Sequence, residues 1–468
     1  MLQTYVSGLD VVLGGGLPTG SLYLIQGLAG SGKTTLACQI GFNHARQGKK
    51  VLVLTLLGES HAKMLSHFSN FSFFDDALVG KEIVFFSAYA SLVKGGLRDL
   101  LQLIIATMSE QQPSILIIDG FRSVRNSSAT DLALAEFMHS LNSLVSSMDC
   151  TTFLLSPVEG NVTDSENTLV DGVIELGQYQ QGMGVIRELQ LFKVRGAKHL
   201  LGRHVFEVKD DGVVVYPRFE ALATSAKAPP AQHTRLSVGI PSWDERIGGG
   251  VISGSITCLL GSPGVGKTIM GLHFIADGLK NGEKCLIVGF HESPESLAYK
   301  ARSIGLSLQP HIDDGSLEIM WQLPLETLID DLASRMLDNI RTRGVGRLLI
   351  DGVEGLSNLI MHPERSRSFL IALTNELRLH RVTVYVTEQL HYFKRASPAA
   401  EPSSSALYEN VMLLEYFASG DVNHRQIAVM KLRQNGYDGS NRVMNITNQG
   451  ITIGDPASSV GRSSGNTA

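Results

Sequence analysis

Two hydrophobic patterns alternate along the chain. Short runs such as SLYLIQG (residues 21–27) and KKVLVLTLL (49–57) are almost continuously apolar over the length of a strand, the signature of strands buried on both faces. Between them, TTLACQIGFNHARQG (34–48) is longer and amphipathic, with apolar residues returning at helical spacing. Strand, helix and strand in this order predict βαβ units, hence an α/β fold whose mainly parallel sheet is flanked by helices.

The pattern occurs twice. SGLDVVLGGGLPTGSLYLIQGLAGSGKTT in the first half lines up with PSWDERIGGGVISGSITCLLGSPGVGKTI in the second. Asp10 precedes Lys33 by 23 positions, and Asp244 precedes Lys267 by the same 23. Downstream, ILIIDG and RLLIDG place Asp119 and Asp351 at 86 and 84 positions beyond those lysines. A repeat of this length is a duplicated domain. The expected organisation is a first P-loop domain over 1–225, a linker over 226–235, a second P-loop domain over 236–455 and a disordered tail over 456–468. The linker lies in the Ala/Pro-rich run ATSAKAPPAQHTRL, and the tail is rich in Ser and Gly.

Each copy carries G-x-x-x-x-G-K-T between a predicted strand and a predicted helix. In the first, Gly27, Gly30, Ser31, Gly32, Lys33, Thr34 and Thr35 form the candidate phosphate cradle; in the second, Gly261, Gly264, Val265, Gly266, Lys267, Thr268 and Ile269. The glycines let backbone N–H groups turn toward phosphate oxygens, the lysine meets the β and γ phosphates, and the threonine hydroxyl serves Mg²⁺. ATP and Mg²⁺ are therefore the expected cofactors. Asp119 and Asp351 end apolar strands, where a carboxylate is poorly placed unless it serves a cation. With Thr34 and Thr268 they are the candidate Mg²⁺ residues, directly or through water. Glu59 and Glu292 follow the second strand of each copy and are candidates for orienting the attacking water, with helix capping as the plainer alternative.

Composition narrows the classes. Forty Lys and Arg against 45 Asp and Glu leave a net charge of −5, with no basic stripe that would mark a nucleic-acid surface. Four scattered cysteines form no CxxC pair, which favours a reducing cytoplasm over a disulfide framework. The N-terminus has no signal-peptide pattern and no apolar run is long enough to span a bilayer, so no membrane association is expected. His61 and His67, near the Phe-rich run FSNFSFFDD, read as helix packing rather than a metal or nucleic-acid site.

The paired openings, the Glu after the second strand, the IIDG strand and the tandem layout resemble the KaiC family of ATPases within the RecA superfamily, over nearly the whole chain. The resemblance implies two RecA-like domains per chain, assembly into a homohexamer with nucleotide between neighbours, and a regulatory protein partner. It also implies that a Lys-x-Arg late in each domain reaches the adjacent subunit's phosphates: Lys193 and Arg195 in FKVRG, Lys431 and Arg433 in MKLRQ. Clock KaiC carries two adjacent glutamates after the second strand, where this chain has Gly58–Glu59 and His291–Glu292. Its phosphorylated Ser and Thr correspond to Ser405 and Ala406, so a two-site cycle is not expected, whereas serine/threonine kinase activity directed at Ser405, Ser404 or Ser403 stays open. Beside this ATPase and autokinase reading stand two others: a nucleic-acid motor or recombinase of the same superfamily, and a scaffold that binds ATP with negligible turnover.

Overall fold

The computed structural model of the chain describes residues 1–56, 61–158, 168–181, 184–223, 234–323, 328–390, 407–419, 421–433 and 437–457. It divides into two compact units, Met1–Leu222 and Ala223–Ala468.

In the first unit, β1 (Leu22–Gly27), β2 (Val51–Thr55), β3 (Ile83–Ser87), β4 (Ile115–Asp119), β5 (Thr151–Ser156), β6 (Gly172–Gln181), β7 (Gly184–Val194), β8 (Arg203–Lys209) and β9 (Gly212–Tyr216) form one sheet in the order β3-β2-β4-β5-β1-β6-β7-β8-β9. The first six in that order are parallel, and β6 to β9 continue the sheet as antiparallel neighbours. The parallel strands β1, β2 and β5 are buried at every position, as the nearly continuous apolar runs of β1 and β2 require; β5 buries Thr151, Thr152 and Ser156 as well. Helix Lys33–Ala45 packs on one side through Leu36, Ile40 and Phe42, all fully buried. Each such side chain contributes about 1.5–3 kcal/mol of burial. On the other side, helices Tyr89–Gln111 and Asp131–Ser147 supply Leu100, Ile104, Phe137 and Leu141 to a second cluster.

The second unit opens with a two-stranded ribbon, β10 (Arg235–Leu236) and β11 (Val251–Ile252). Its main sheet comprises β12 (Ile256–Gly261), β13 (Lys284–Gly289), β14 (Leu317–Trp321), β15 (Val345–Asp351), β16 (Thr383–Gln389), β17 (Asn410–Ser419), β18 (Val422–Leu432), β19 (Arg442–Thr447) and β20 (Gly450–Pro456). The order β14-β13-β15-β16-β12-β17-β18-β19-β20 repeats the first sheet strand for strand. The fold class is thus two tandem RecA-like domains, each a mainly parallel sheet covered by helices.

The two leading aspartates also have the same task. The Asp10 carboxylate accepts from Thr4 N at 2.8 Å and Tyr5 N at 3.1 Å, while Asp244 accepts from Val238 N at 2.9 Å and Ser237 Oγ at 2.7 Å. Each ties down the turn that leads into its domain, which explains their repeat from packing alone.

Candidate functional site

Both glycine-rich loops leave the carboxyl end of the central strand, β1 or β12, and enter a helix at the lysine. The loop can sit there because its first glycine has no side chain. A Cβ on Gly27 would lie 2.3 Å from Leu176 O, and one on Gly261 would lie 2.2 Å from Leu414 O. Gly32 and Gly266 take φ of 100° and 113°, a left-handed turn that aims the first N–H groups of the helix into the loop.

Lys33 Nζ donates to Gly27 O at 2.7 Å and Leu28 O at 2.8 Å; Lys267 Nζ donates to Gly261 O at 2.7 Å and Ser262 O at 2.9 Å. Burial lowers the pKa of both ammonium groups. Asp119 opposes this in the first domain, and Glu354 followed by Asp351 in the second. Thr34 Oγ1 donates to Asp119 Oδ2 at 2.9 Å, and Thr268 Oγ1 lies 3.0 Å from both oxygens of Asp351. A threonine hydroxyl against a strand-end carboxylate is an all-oxygen donor pair of the kind a magnesium ion with its waters accepts. Among the described residues, no group of three or more His, Cys, Asp or Glu could hold a metal by itself.

The remaining loop residues divide by role. Gly30 and Gly264 have positive φ and face open space or only the Tyr416 hydroxyl. Ser31 and Val265, at matching positions, are fully buried, so these positions offer the cradle their backbone. Thr35 and Ile269 are half-buried on the first helical turn, Ile269 against the hydrophobic core.

Glu292 faces Lys300, which ion-pairs with its Oε1, and accepts from Ser296 Oγ at 3.3 Å. It is close enough to Asp351 to raise that carboxylate's pKa. Glu59 lies outside the described residues, as do Ser403, Ser404 and Ser405.

The Lys-x-Arg pairs are not near their own cradles. Lys193 pairs with Val173 and Lys431 with Val411, each beside a bulge, whereas the cradle glycines pair with Leu176 and Leu414. The three residue steps along β6 or β17 amount to about 10 Å of strand. Both lysines sit toward the amino end of the parallel strands, with Lys193 Nζ donating to Val170 O at 2.6 Å and Lys431 Nζ to Tyr408 O at 2.6 Å. Burial lowers both pKa values, and the neighbouring Arg195 or Arg433 lowers them further. Arg195 also lies 3.7 Å from Asp171.

Two residues near the second cradle escape motif reading. Thr387, at the end of β16, donates to Asp351 Oδ1 at 2.8 Å and accepts from Gly352 N at 2.7 Å. Glu354, three residues beyond Asp351, accepts from Gln389 N. Burial raises the Asp351 pKa, while the hydroxyls of Thr387 and Thr268 act to lower it. The first domain has Leu155 at the position of Thr387. Comparison of the two copies was the signal that would have marked Thr387.

His61 Nε2 lies 2.8 Å from Thr55 Oγ1, with its ring 6.0 Å from that of Phe85; His67 is exposed. Phe68, Phe73 and Phe74 pack on Phe42 at 5.3–6.5 Å. All four cysteines are free and buried, and no helix among the described residues is long and apolar enough to cross a membrane.

The KaiC ATPase family model matches the chain twice, over residues 2–220 and 236–458. The circadian clock oscillator protein KaiC of Parathermosynechococcus lividus is 24% identical over 469 residues, covering 97% of this chain and 85% of that protein. The protein of the same name from Nostoc sp. is 24% identical over 466 residues, with 97% and 89% covered. KaiC 1 of Synechocystis sp. is 22% identical over 466 residues, with the same coverage. With two matched domains, two phosphate loops and two equivalent sheets, the chain belongs to the KaiC family of tandem-domain ATPases.

Proposed function

We propose that the protein is a Mg²⁺-dependent ATPase that assembles into a homohexameric ring, hydrolyses ATP at subunit interfaces and acts as a clock-type or signalling switch. One observation carries this reading: the hydroxyl–carboxylate pair beside the phosphate loop, Thr34–Asp119, is repeated as Thr268–Asp351. Backbone N–H groups of each loop bind the phosphate chain, and Lys33 or Lys267 exchanges its loop carbonyls for phosphate oxygens. Thr34 with Asp119, and Thr268 with Asp351, hold Mg²⁺, which neutralises charge on the β and γ phosphates.

Glu292, oriented by Lys300, positions the attacking water, and Glu59 does so in the first domain. Lys193 and Arg195 lie at the far end of the sheet from their own loop, so they act on a neighbour's nucleotide, as do Lys431 and Arg433. A cation supplied in trans to a phosphoryl group is worth about 10³–10⁵ in rate where it has been measured. The serines Ser403 to Ser405 are the candidate acceptors for autophosphorylation, and a regulatory partner reads the state of the ring.

Incubation with γ-labelled ATP and Mg²⁺, following protein-bound label and free phosphate together, tests this. Phosphate release must vanish in the Lys33→Ala/Lys267→Ala double variant, and light scattering with nucleotide must give a six-chain mass. Release unaffected by that variant would refute the ATPase assignment. Label that persists in a Ser403/Ser404/Ser405→Ala variant would remove the serine assignment.

A further inference from the structure

Both Lys-x-Arg pairs are preceded by the same irregularity. β7 passes from Leu191, opposite Ile174, to Lys193, opposite Val173, and leaves Phe192 with no residue facing it on β6. β18 passes from Val429, opposite Met412, to Lys431, opposite Val411, and leaves Met430 in the same position against β17. Side chains alternate across a sheet, so one extra residue turns those that follow to the opposite face. Each bulge therefore sets the face on which the Lys-x-Arg stands, and adds one large apolar side chain directly before it.

That side chain is left in water: Phe192 is 38% exposed and Met430 58%. A single exposed hydrophobe is ordinary. Here the two copies differ in the residue, Phe against Met, and agree in its size, its apolarity and its place at the bulge beside the cations. The phosphate loops carry the matching feature. Leu28, 56% exposed, and Ala29 form the outward tip of the first loop, and Pro263 is exposed at the tip of the second. Leu28 is also a residue whose carbonyl holds Lys33. A filled loop thus offers an anion beside an apolar tip, and a bulge offers a cation pair beside an apolar side chain. The two surfaces are complementary in charge and in polarity, and about 10 Å of strand separates them within one domain.

We propose that Phe192 and Met430 are positioning residues of an interface with a second copy of the chain. Phe192 packs on that copy's Leu28 and Ala29, and Met430 on its Pro263, which seats the Lys-x-Arg that follows against the same copy's phosphates. This contact rests on the reading of the Lys-x-Arg pairs as acting in trans, and supplies the register that such action needs.

The full chain, diluted in a non-hydrolysable ATP analogue and Mg²⁺ and followed by light scattering, gives the concentration of half-assembly. Phe192→Gln and, separately, Met430→Gln should each raise it by about tenfold or more, the order set by returning one large apolar side chain per interface to water. Both residues are exposed in the single chain, so its melting temperature without nucleotide should stay within about 2 °C. Leu28→Gln should act as Phe192→Gln does, and a chain carrying both should assemble no worse than either, because the two side chains lose one shared contact.

A half-assembly concentration unchanged by Phe192→Gln and Met430→Gln overturns the proposal and leaves the ring standing. So do independent, multiplying losses from Phe192→Gln and Leu28→Gln, or a loss of assembly matched by a fall in the melting temperature of the single chain, which would assign the bulge side chain to its own domain. A parent chain that does not assemble with nucleotide overturns the ring reading itself, and this contact with it.

Discussion

Replacing Thr387 by valine isolates the contribution of one hydroxyl to the second cradle. Valine keeps the shape and the strand preference of threonine at a position only 3% exposed, so packing is preserved and the chemistry alone changes. Two hydrogen bonds disappear: the one donated to Asp351 Oδ1 at 2.8 Å and the one accepted from Gly352 N at 2.7 Å. The first involves a charged acceptor and is worth about 1.5–3 kcal/mol; leaving the Gly352 N–H without its acceptor costs about 1–3 kcal/mol. Thr268 still reaches both Asp351 oxygens, which recovers part of the first loss. The net expectation is about 2–4 kcal/mol against the nucleotide-free second domain, taking the middle of both ranges.

At about 2–4 °C per kcal/mol for a domain of this size, the midpoint should fall by about 4–16 °C. The chain's two tryptophans, Trp243 and Trp321, both lie in the second unit, so intrinsic fluorescence follows that unit's unfolding. Far-UV circular dichroism follows both units. The fluorescence transition should move and the first unit's transition should stay, because Leu155 occupies the equivalent position there. Thr387→Ser, which retains the hydroxyl, should recover most of the loss. A fluorescence midpoint within about 1 °C of the parent, far below the shift expected from the lost bonds, would refute the claim that this hydroxyl holds Asp351 and the Gly352 amide.

Three further outcomes are expected. Gly261→Ala places a methyl 2.2 Å from Leu414 O, so it should cost about 1–3 kcal/mol of domain stability and abolish nucleotide binding by a Lys33→Ala chain; retained binding in a titration with a fluorescent ADP contradicts the cradle geometry. Burial raises the Asp351 pKa above its ordinary 3.8, so the stability this group confers is complete below about 3.8 and is lost as pH rises through the folded value. Asp351→Asn should therefore stabilise the nucleotide-free second domain at pH 7, by an amount that shrinks toward acid; denaturant curves in which Asp351→Asn is no more stable than the parent at pH 7 contradict it. Finally, mixing Lys33→Ala chains with Lys193→Ala/Arg195→Ala chains, both in a Lys267→Ala background, should restore turnover that neither has alone. Additive rates on mixing rule out action in trans.

Parallel strands were legible where burial on both faces leaves a nearly continuous apolar run, as in LYLIQG of β1 and VLVLT of β2; β5, TTFLLS, is equally buried but begins and ends on hydroxyl residues. The antiparallel extension was harder to read. β7 has exposed, half-buried and buried positions interleaved, and its sequence VIRELQLFKV alternates too irregularly to separate a sheet extension from a surface hairpin. The loops and Asp119 and Asp351 announced themselves through local spacing. Thr387 and Glu354 did not, since Thr387 meets Asp351 only through the β15–β16 register, across 36 residues, and Glu354 matters through a backbone N–H that any residue but proline supplies.

Duplication makes the chain its own comparison, and the differences between the copies fall together. Where β5 ends with Leu155 and Ser156 and is followed by Pro157, β16 ends with Thr387, Glu388 and Gln389; where the segment after β4 carries Arg122, the segment after β15 carries Glu354. Glu388 also approaches Cys258 in β12, with its Oε2 3.6 Å from the thiol. These changes border the second cradle and bring the carboxylates of Glu354 and Glu388 to it while the loop, the lysine and the threonine–aspartate pair are kept; the first copy instead carries Glu175, bonded to Gln26, where the second has Leu413. Drift acting on packing alone would scatter changes over both faces of the sheet. Concentration of acidic and hydrogen-bonding groups at one strand end instead alters the charge that a bound phosphate meets, so the two loops present the same ligand with different electrostatic surroundings.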